Sequence, residues 1–166
     1  HWAWEGWSSS GSDPAYRFML WNRAVREIRH YPTNGIGLNT FRTLQYQHFP
    51  NYFDVSHAHN IFLQTALDLG LPGLVVYASV LILAAVLCRQ ILRNGSPGFR
   101  VVALGLFGNL LSVHLFGLGD AIALGAKMGI FFWWTLGLIV ACHAVVVERN
   151  PPSQALASSQ LRSEGK

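Results

Sequence analysis

Three stretches of the chain, 69–88, 101–119 and 128–147, are apolar and free of charge. Each is ~20 residues long, so at ~1.5 Å of rise per residue each crosses a hydrocarbon core of ~30 Å. No polar face recurs within them at helical spacing, which argues against core helices of a soluble bundle. Their glycines and the Pro72-Gly73 pair suit membrane helices, where small residues let neighbours approach closely. The pattern predicts three transmembrane helices.

The 68 residues before them read differently. Asp13-Pro14 is a helix start, because Asp caps free amides and Pro fits the first helical position. The helix should run over 14–30 and stop at Tyr31-Pro32. Asn34-Gly35-Ile36-Gly37 marks a turn. Residues 38–55 show no clean period and are expected to form a loop with a short helix near 41–47. Trp2, Trp4 and Trp7 precede Ser8-Ser9-Ser10-Gly11, which fits either a loop end at the membrane interface, where tryptophan is enriched, or a disordered truncation end.

Composition agrees with a membrane chain. Hydrophobic residues make up 51% and charged residues 12%, against about 25% charged in ordinary soluble domains, which excludes a disordered chain, a collagen-like repeat and a coiled coil. Cys88 and Cys142 are too few for a disulfide scaffold or a multi-cysteine metal site. No secretory signal pattern follows His1.

The net charge of +4 is small, and its placement is informative. Arg89, Arg93 and Arg100 lie between the first two spans, and Arg149, Arg162 and Lys166 follow the third. The 120–127 connection holds only Asp120 and Lys127. By the positive-inside tendency, 89–100 and a disordered tail over 148–166 are cytoplasmic, and 1–68 and 120–127 lie outside. The outer segment nonetheless contains Arg17, Arg23, Arg26, Arg29 and Arg42; long loops are partly exempt from the rule, but these arginines need partners. A chain starting outside without an export signal is expected to be the C-terminal part of a longer polytopic protein.

On a wheel of about 100° per residue, Arg17 shares a stripe with Trp21, Ala24 and Ile28, whereas Arg23, Arg26 and His30 gather opposite as a solvated or headgroup-facing surface. An arginine on a packed face is costly unless something anionic meets it. Arg17 is therefore a snorkelling or structurally paired arginine, bound for instance to Asp54 or Asp120, or it meets a ligand diphosphate.

The segment His57-Ala58-His59-Asn60, followed by nine residues, Gly70, two residues and Gly73, resembles the signature of the superfamily of O-antigen ligases and O-antigen polymerases. Arg17, Trp21, Ala24, Pro32, Gly35-Ile36-Gly37 and Phe41 are similar to that family's extracytoplasmic loop pattern. The resemblance covers about 17–73. It implies an all-α integral membrane protein, the C-terminal part of a GT-C-like polytopic bundle with three transmembrane helices and an outer loop holding an amphipathic helix. It further implies a metal-independent inverting glycosyltransferase of the bacterial cytoplasmic (inner) membrane. The donor would be a glycan on undecaprenyl diphosphate, and the acceptor a hydroxyl on a glycan, lipid A-core or protein. The resemblance assigns the base to His59 and the donor diphosphate to Arg17, and it involves membrane lipid but no nucleic acid.

The residue chemistry fits that assignment. A neutral imidazole can take a proton from a sugar hydroxyl near neutral pH, and a guanidinium can grip two oxygens of a leaving diphosphate. Asn60, expected to bind substrate, starts a polar helix edge with Gln64 and Asp68 that either holds the imidazole, touches sugar or faces other loop residues. His57 and His59 alone make a weak metal site, and no metal is expected. His114 and Asp120 near the outer end of the second span are functional candidates or interhelical hydrogen-bonding groups. His143, Cys88 and Cys142 read as packing residues. Two other function classes remain open: a membrane transporter, whose ionisable residues would lie within the spans, and a non-catalytic remnant that binds lipid-linked sugar.

Overall fold

A computed structural model describes residues 14–38, 40–43, 57–120 and 129–149. The expected helical residues 44–47, the N-terminal tryptophans, Asp54 and the tail beyond 149 lie outside the described residues. Those described form an all-α membrane protein of four helices: α1 (Pro14–His30), α2 (Ile61–Asn94), α3 (Pro97–Gly117) and α4 (Gly129–Arg149). A helical turn at 40–43 lies between α1 and α2. Helices α2, α3 and α4 are each long and apolar enough to cross a membrane. Many of their large apolar side chains point outward, Ile82 at 65% and Trp134 at 68% exposure. Water would penalise such a surface, whereas lipid solvates it.

The chain divides into two compact units, His1–Ser79 with Val113–Gly129, and Val80–Ser112 with Ile130–Lys166. In the first, Leu20 and Ala24 of α1 are buried with Phe41, Ala58 and Leu67, and Ile28, Ile36 and Leu63 pack around them. The stripe read from the sequence is thus the packed face of α1, with Leu20 added to it. Arg26 and His30 are exposed as expected. Arg23 departs from that surface: its side chain is 14% exposed and its Nε lies 2.9 Å from Glu27 Oε1 one turn on.

Helix α2 is two helices joined at a break. Gly70 has φ 72 and ψ −178, outside helical values, so the 71-to-67 bond of a regular helix is lost. Both of its ends are satisfied by the turn after α1. The Ile36 amide donates to Leu67 O at 2.7 Å, and the Leu71 amide donates to Pro32 O at 2.7 Å. Pro72 sits in the first turn of the second segment, where a missing amide hydrogen removes no helical bond. The two backbones approach so closely that a Cβ on Gly35 would lie 2.4 Å from Leu67 O, and one on Gly70 would lie 2.4 Å from Thr33 O. Gly35 also has φ 65, a left-handed conformation that L side chains rarely adopt. This double constraint explains the Asn-Gly-Ile-Gly turn and the glycine ten residues after Asn60 as one structural element.

The second unit is simpler. Ile91, Ala103 and Val146 are buried together, with Leu92, Phe99 and Cys142 against them. Asn109 Nδ2 donates to Thr135 Oγ1 at 2.7 Å, a polar tie between α3 and α4, and His143 contacts Gln90. Such bonds help hold helices together where no hydrophobic force between them is available. Helix α2 continues through Arg89 and Arg93 to Asn94, so the polar connection to α3 narrows to Gly95-Ser96. Arg100 Nε donates to Gly95 O at 2.9 Å, and Arg149 lies over the Phe99 ring at 5.5 Å. Arg100 and Arg149 thus engage a carbonyl and an aromatic face.

The break makes a direct prediction. Gly70→Ala places a Cβ against backbone that cannot swing aside and forces alanine into the left-handed region, so it should cost at least about 2 kcal/mol. Thermal unfolding in detergent should show a clear drop for Gly70→Ala and Gly35→Ala and a small change for Gly105→Ala, where a Cβ meets nothing within 4 Å.

Candidate active site

The His-Asn segment is held from three directions. Asn60 caps α2, its Oδ1 accepting the Phe62 and Leu63 amides at 3.0 Å each, which satisfies donors a helix start leaves open. Its Nδ2 donates to Leu118 O at 3.1 Å, just past the end of α3. Gln64, one turn into α2, accepts the buried Ala58 amide on Oε1 at 2.9 Å and donates from Nε2 to Asp68 Oδ1 at 2.8 Å. The polar edge Asn60-Gln64-Asp68 is therefore spent on splinting residues 57–60. Among the described residues, both polar ends of the Asn60 side chain are engaged by protein.

That splint holds His59 at φ 48, the only positive value recorded for a residue other than glycine among the described residues. Non-glycine residues in this region carry strain, and such strain concentrates where geometry is functional. The consequence is contact with a residue 61 positions away: His59 Nδ1 lies 3.1 Å from Asp120 Oδ1. An ionised carboxylate only accepts, so Nδ1 donates to it and the lone pair rests on Nε2. The His57 ring packs edge-on against His59 with centroids 4.3 Å apart. Its Nδ1 accepts the His59 amide at 3.3 Å and lies 3.7 Å from the same Asp120 oxygen.

Close approach brings the Asp120 corner here. A Cβ on Gly117 would lie 2.8 Å from Ile61 Cγ2, and a Cβ on Gly119 would lie 3.4 Å from an Arg17 terminal nitrogen. Glycine at 117 lets the end of α3 settle on the start of α2, and the Arg17 guanidinium lies beside Gly119. Arg17 is half-buried, and its Nε is sealed from solvent without a hydrogen-bond partner among the described residues. Trp21 Nε1, one helical turn along the same face, is in the same condition. Buried donors without acceptors are rare in proteins and call for a partner.

The structure thus gathers Arg17, His59 and Asn60 around residues 117–120. It adds Asp120, which the sequence left open between function and helix pairing, and the Trp21 indole, which the sequence placed in the stripe of Arg17 and in the resembled loop pattern without giving it a role. His114 is not part of this group: its Nε2 meets Tyr77 Oη at 2.7 Å beside the Phe62 ring. His57, His59 and Asp120 each offer an atom that could ligate a metal, all within 4.8 Å of one another.

Comparison with known families locates this arrangement. Residues 5–78 match the family model described as O-antigen ligase. That region of the chain belongs to the O-antigen ligase family. No curated protein and no solved structure matches the chain. The O-antigen ligase region contains Arg17, Trp21, the turn at Gly35, His57, His59, Asn60 and the Gly70 break, whereas Asp120 lies beyond it. The family match therefore covers His59 and Arg17, and the fold brings Asp120 to them.

Burial holds the His57 pKa below its usual value, His59 beside it acts in the same direction, and Asp120 opposes both. A group whose folded pKa is lowered binds more protons unfolded than folded, so stability is full above pH about 6.5 and falls as acid passes through the lowered folded pKa. The midpoint of thermal unfolding should fall as pH drops from about 7 to about 5. His57→Asn should flatten part of that slope; an unchanged slope would assign the acid sensitivity to other groups.

Proposed function

We propose that the chain forms the acceptor-activating part of a bacterial membrane glycosyltransferase of the O-antigen ligase type. It moves a glycan from undecaprenyl diphosphate to a hydroxyl on a glycan, lipid A-core or protein. The observation that carries the proposal is the His59–Asp120 pair beside Arg17. Asp120 fixes the Nδ1–H tautomer, so the Nε2 lone pair is ready for a proton and the imidazolium that forms is stabilised. An acceptor hydroxyl gives its proton to Nε2 as its oxygen bonds to the anomeric carbon. The bond from that carbon to the diphosphate oxygen breaks on the opposite face, and the configuration inverts.

Charge develops on the leaving diphosphate, and Arg17 is the cation proposed to receive it. Its unpartnered Nε and the Trp21 indole N–H give two buried donors on one helix face, which suits an oxygen-rich ligand. The guanidinium supplies the neutralising charge, so the proposed step is metal-independent. Asn60 acts through the turn it caps, by keeping His59 aimed. In this reading residues 1–68 and 120–127 face the extracytoplasmic side of the inner membrane, and the Gly95-Ser96 connection faces the cytoplasm, which the arginines of the short connections favour.

The test is turnover per folded molecule in the full-length protein. His59→Asn tolerates the left-handed backbone and should abolish transfer while the protein stays inserted and monodisperse; His59→Ala should do the same. Arg17→Lys keeps the charge but loses the planar two-pronged grip. Loss of a donor to developing charge raises a barrier by about 2 to 4 kcal/mol, roughly a 30- to 1000-fold fall in rate. Near-normal turnover in Arg17→Ala would remove Arg17 from the site.

Orientation has its own measurement. In a variant lacking Cys88 and Cys142, an impermeant thiol reagent added to intact cells should label Asn34→Cys and spare Ser96→Cys. The reverse pattern would defeat the assignment of sides and the extracytoplasmic chemistry with it.

A further inference from the structure

Three groups able to ligate a metal, His57, His59 and Asp120, converge at the His-Asn turn. The His59 amide donates to His57 Nδ1 at 3.3 Å, so that nitrogen presents a lone pair and its ring proton is on Nε2. The same nitrogen lies 3.7 Å from Asp120 Oδ1. On the other side Asp120 Oδ1 meets His59 Nδ1 at 3.1 Å. An ion among the three groups would draw the His57 Nδ1 lone pair from the His59 amide and be held by the carboxylate as well.

The spacing suits one kind of cation. Zinc holds imidazole nitrogens and carboxylate oxygens at about 2.0 to 2.2 Å in a tetrahedron, which sets neighbouring ligand atoms about 3.3 Å apart. The two separations from Asp120 Oδ1, 3.1 and 3.7 Å, bracket that value, and the three ligand atoms all lie within 4.8 Å of one another. Two imidazoles and one carboxylate suit zinc or a similar transition ion, whereas magnesium and calcium prefer all-oxygen sites. The side chains of His57, His59 and Asp120 keep 26%, 21% and 37% exposure, so an ion can enter and hold a fourth ligand from solvent. The ligands come preorganised, since Gln64 and Asn60 already fix the turn.

We propose that His57 Nδ1, His59 Nδ1 and Asp120 Oδ1 form a binding site for zinc or a similar divalent transition ion, and that the bound ion switches the proposed transferase off. This rests on the reading of His59 as the base. Ligation uses the lone pair of His59 Nδ1, so the ring proton moves from Nδ1 to Nε2. No proton is lost from a neutral ring, but Nε2 now carries hydrogen and cannot take one from an acceptor. Asp120 is drawn at the same time from the imidazole to the ion. His57, which has no part in the proposed transfer, is the residue that turns a His–Asp pair into a metal site.

Zinc titration of the detergent-solubilised full-length protein by calorimetry, with magnesium as control, tests the site. One zinc per chain is expected, with magnesium silent. His57→Asn and His57→Gln remove the nitrogen but keep an acceptor for the His59 amide, and elution as a single species verifies their folding. Each should weaken zinc binding at least about tenfold, the lower end of what losing even an outer partner of a metal ligand costs. In transfer assays zinc should inhibit the wild type, a chelator should restore it, and both His57 variants should retain basal transfer and resist zinc. Equal zinc affinity in wild type and variants, absence of binding, or full transfer by the zinc-loaded protein would overturn the proposal. If zinc does not bind while His59→Asn still abolishes transfer, only the metal site fails. If zinc binds as described while His59→Asn transfers normally, only the base assignment fails.

Discussion

The exchange of hydrogen bonds at Gly70 is the constraint on which the first unit depends. A membrane helix normally satisfies every backbone group internally, because lipid offers no substitute. Here the 71-to-67 bond is given up, and the Pro32–Ile36 backbone takes both orphaned ends at 2.7 Å. The gain is directional. Residues 61–69 are released from the line of the following span, and α1 is tethered to the break through its own C-terminal turn. The buried cluster of Leu20, Ala24, Phe41, Ala58 and Leu67 then forms on one side of this joint, and Ala58 within it anchors the His57–His59 turn.

From that joint the site assembles with little freedom left. Asn60 caps the released segment and also reaches Leu118 O, so the helix start and the end of α3 are held by one side chain. Gly117 lets Ile61 come close enough for that bond, and three residues on Asp120 reaches His59. The Arg17 guanidinium lies beside Gly119. Steric room at Gly117 and hydrogen bonds from one asparagine thus bring an imidazole, a carboxylate and an arginine from three separate elements to one corner. None of these contacts uses a charged pair in lipid; the ionisable groups gather at the helix end, where water can reach them.

How much of this was legible follows from the range of the interactions. The spans were readable because uninterrupted apolar length is a local property. The packed face of α1, with Arg17 inside it, was readable because helical periodicity is local too, though Arg23 was misplaced: its tie to Glu27 is an i,i+4 pair that a wheel drawn for hydrophobicity does not register. The start of the first span at residue 69 nearly coincides with the Gly70 break, yet nothing in hydropathy shows that helix precedes it or continues past Cys88. Arginines end a hydrophobic run without ending a helix. Asp120 was visible only as an ionisable residue near a helix end, and its link to His59 across 61 residues depends on how α2 and α3 approach, which no window of sequence contains.

The left-handed backbone of His59 shows why such a site needs its surroundings built first. A β-branched or bulky residue at φ 48 is unfavourable, and histidine tolerates the region better than most. The local cost is of order 1 kcal/mol or more, and it is met by contacts on both sides: the Ala58 amide on Gln64 before it and the Asn60 cap after it. Relaxing His59 to an ordinary helical or extended conformation would turn its ring away from Asp120 and loosen the bond that defines its tautomer. The strain and the His59–Asp120 bond are therefore one feature, since the backbone conformation aims the ring and the carboxylate selects the nitrogen left free. That nitrogen choice is also what makes His57 consequential. Its Nδ1 lies 3.7 Å from the same oxygen, so an ion at the proposed site would convert His59 from the proposed base into a ligand.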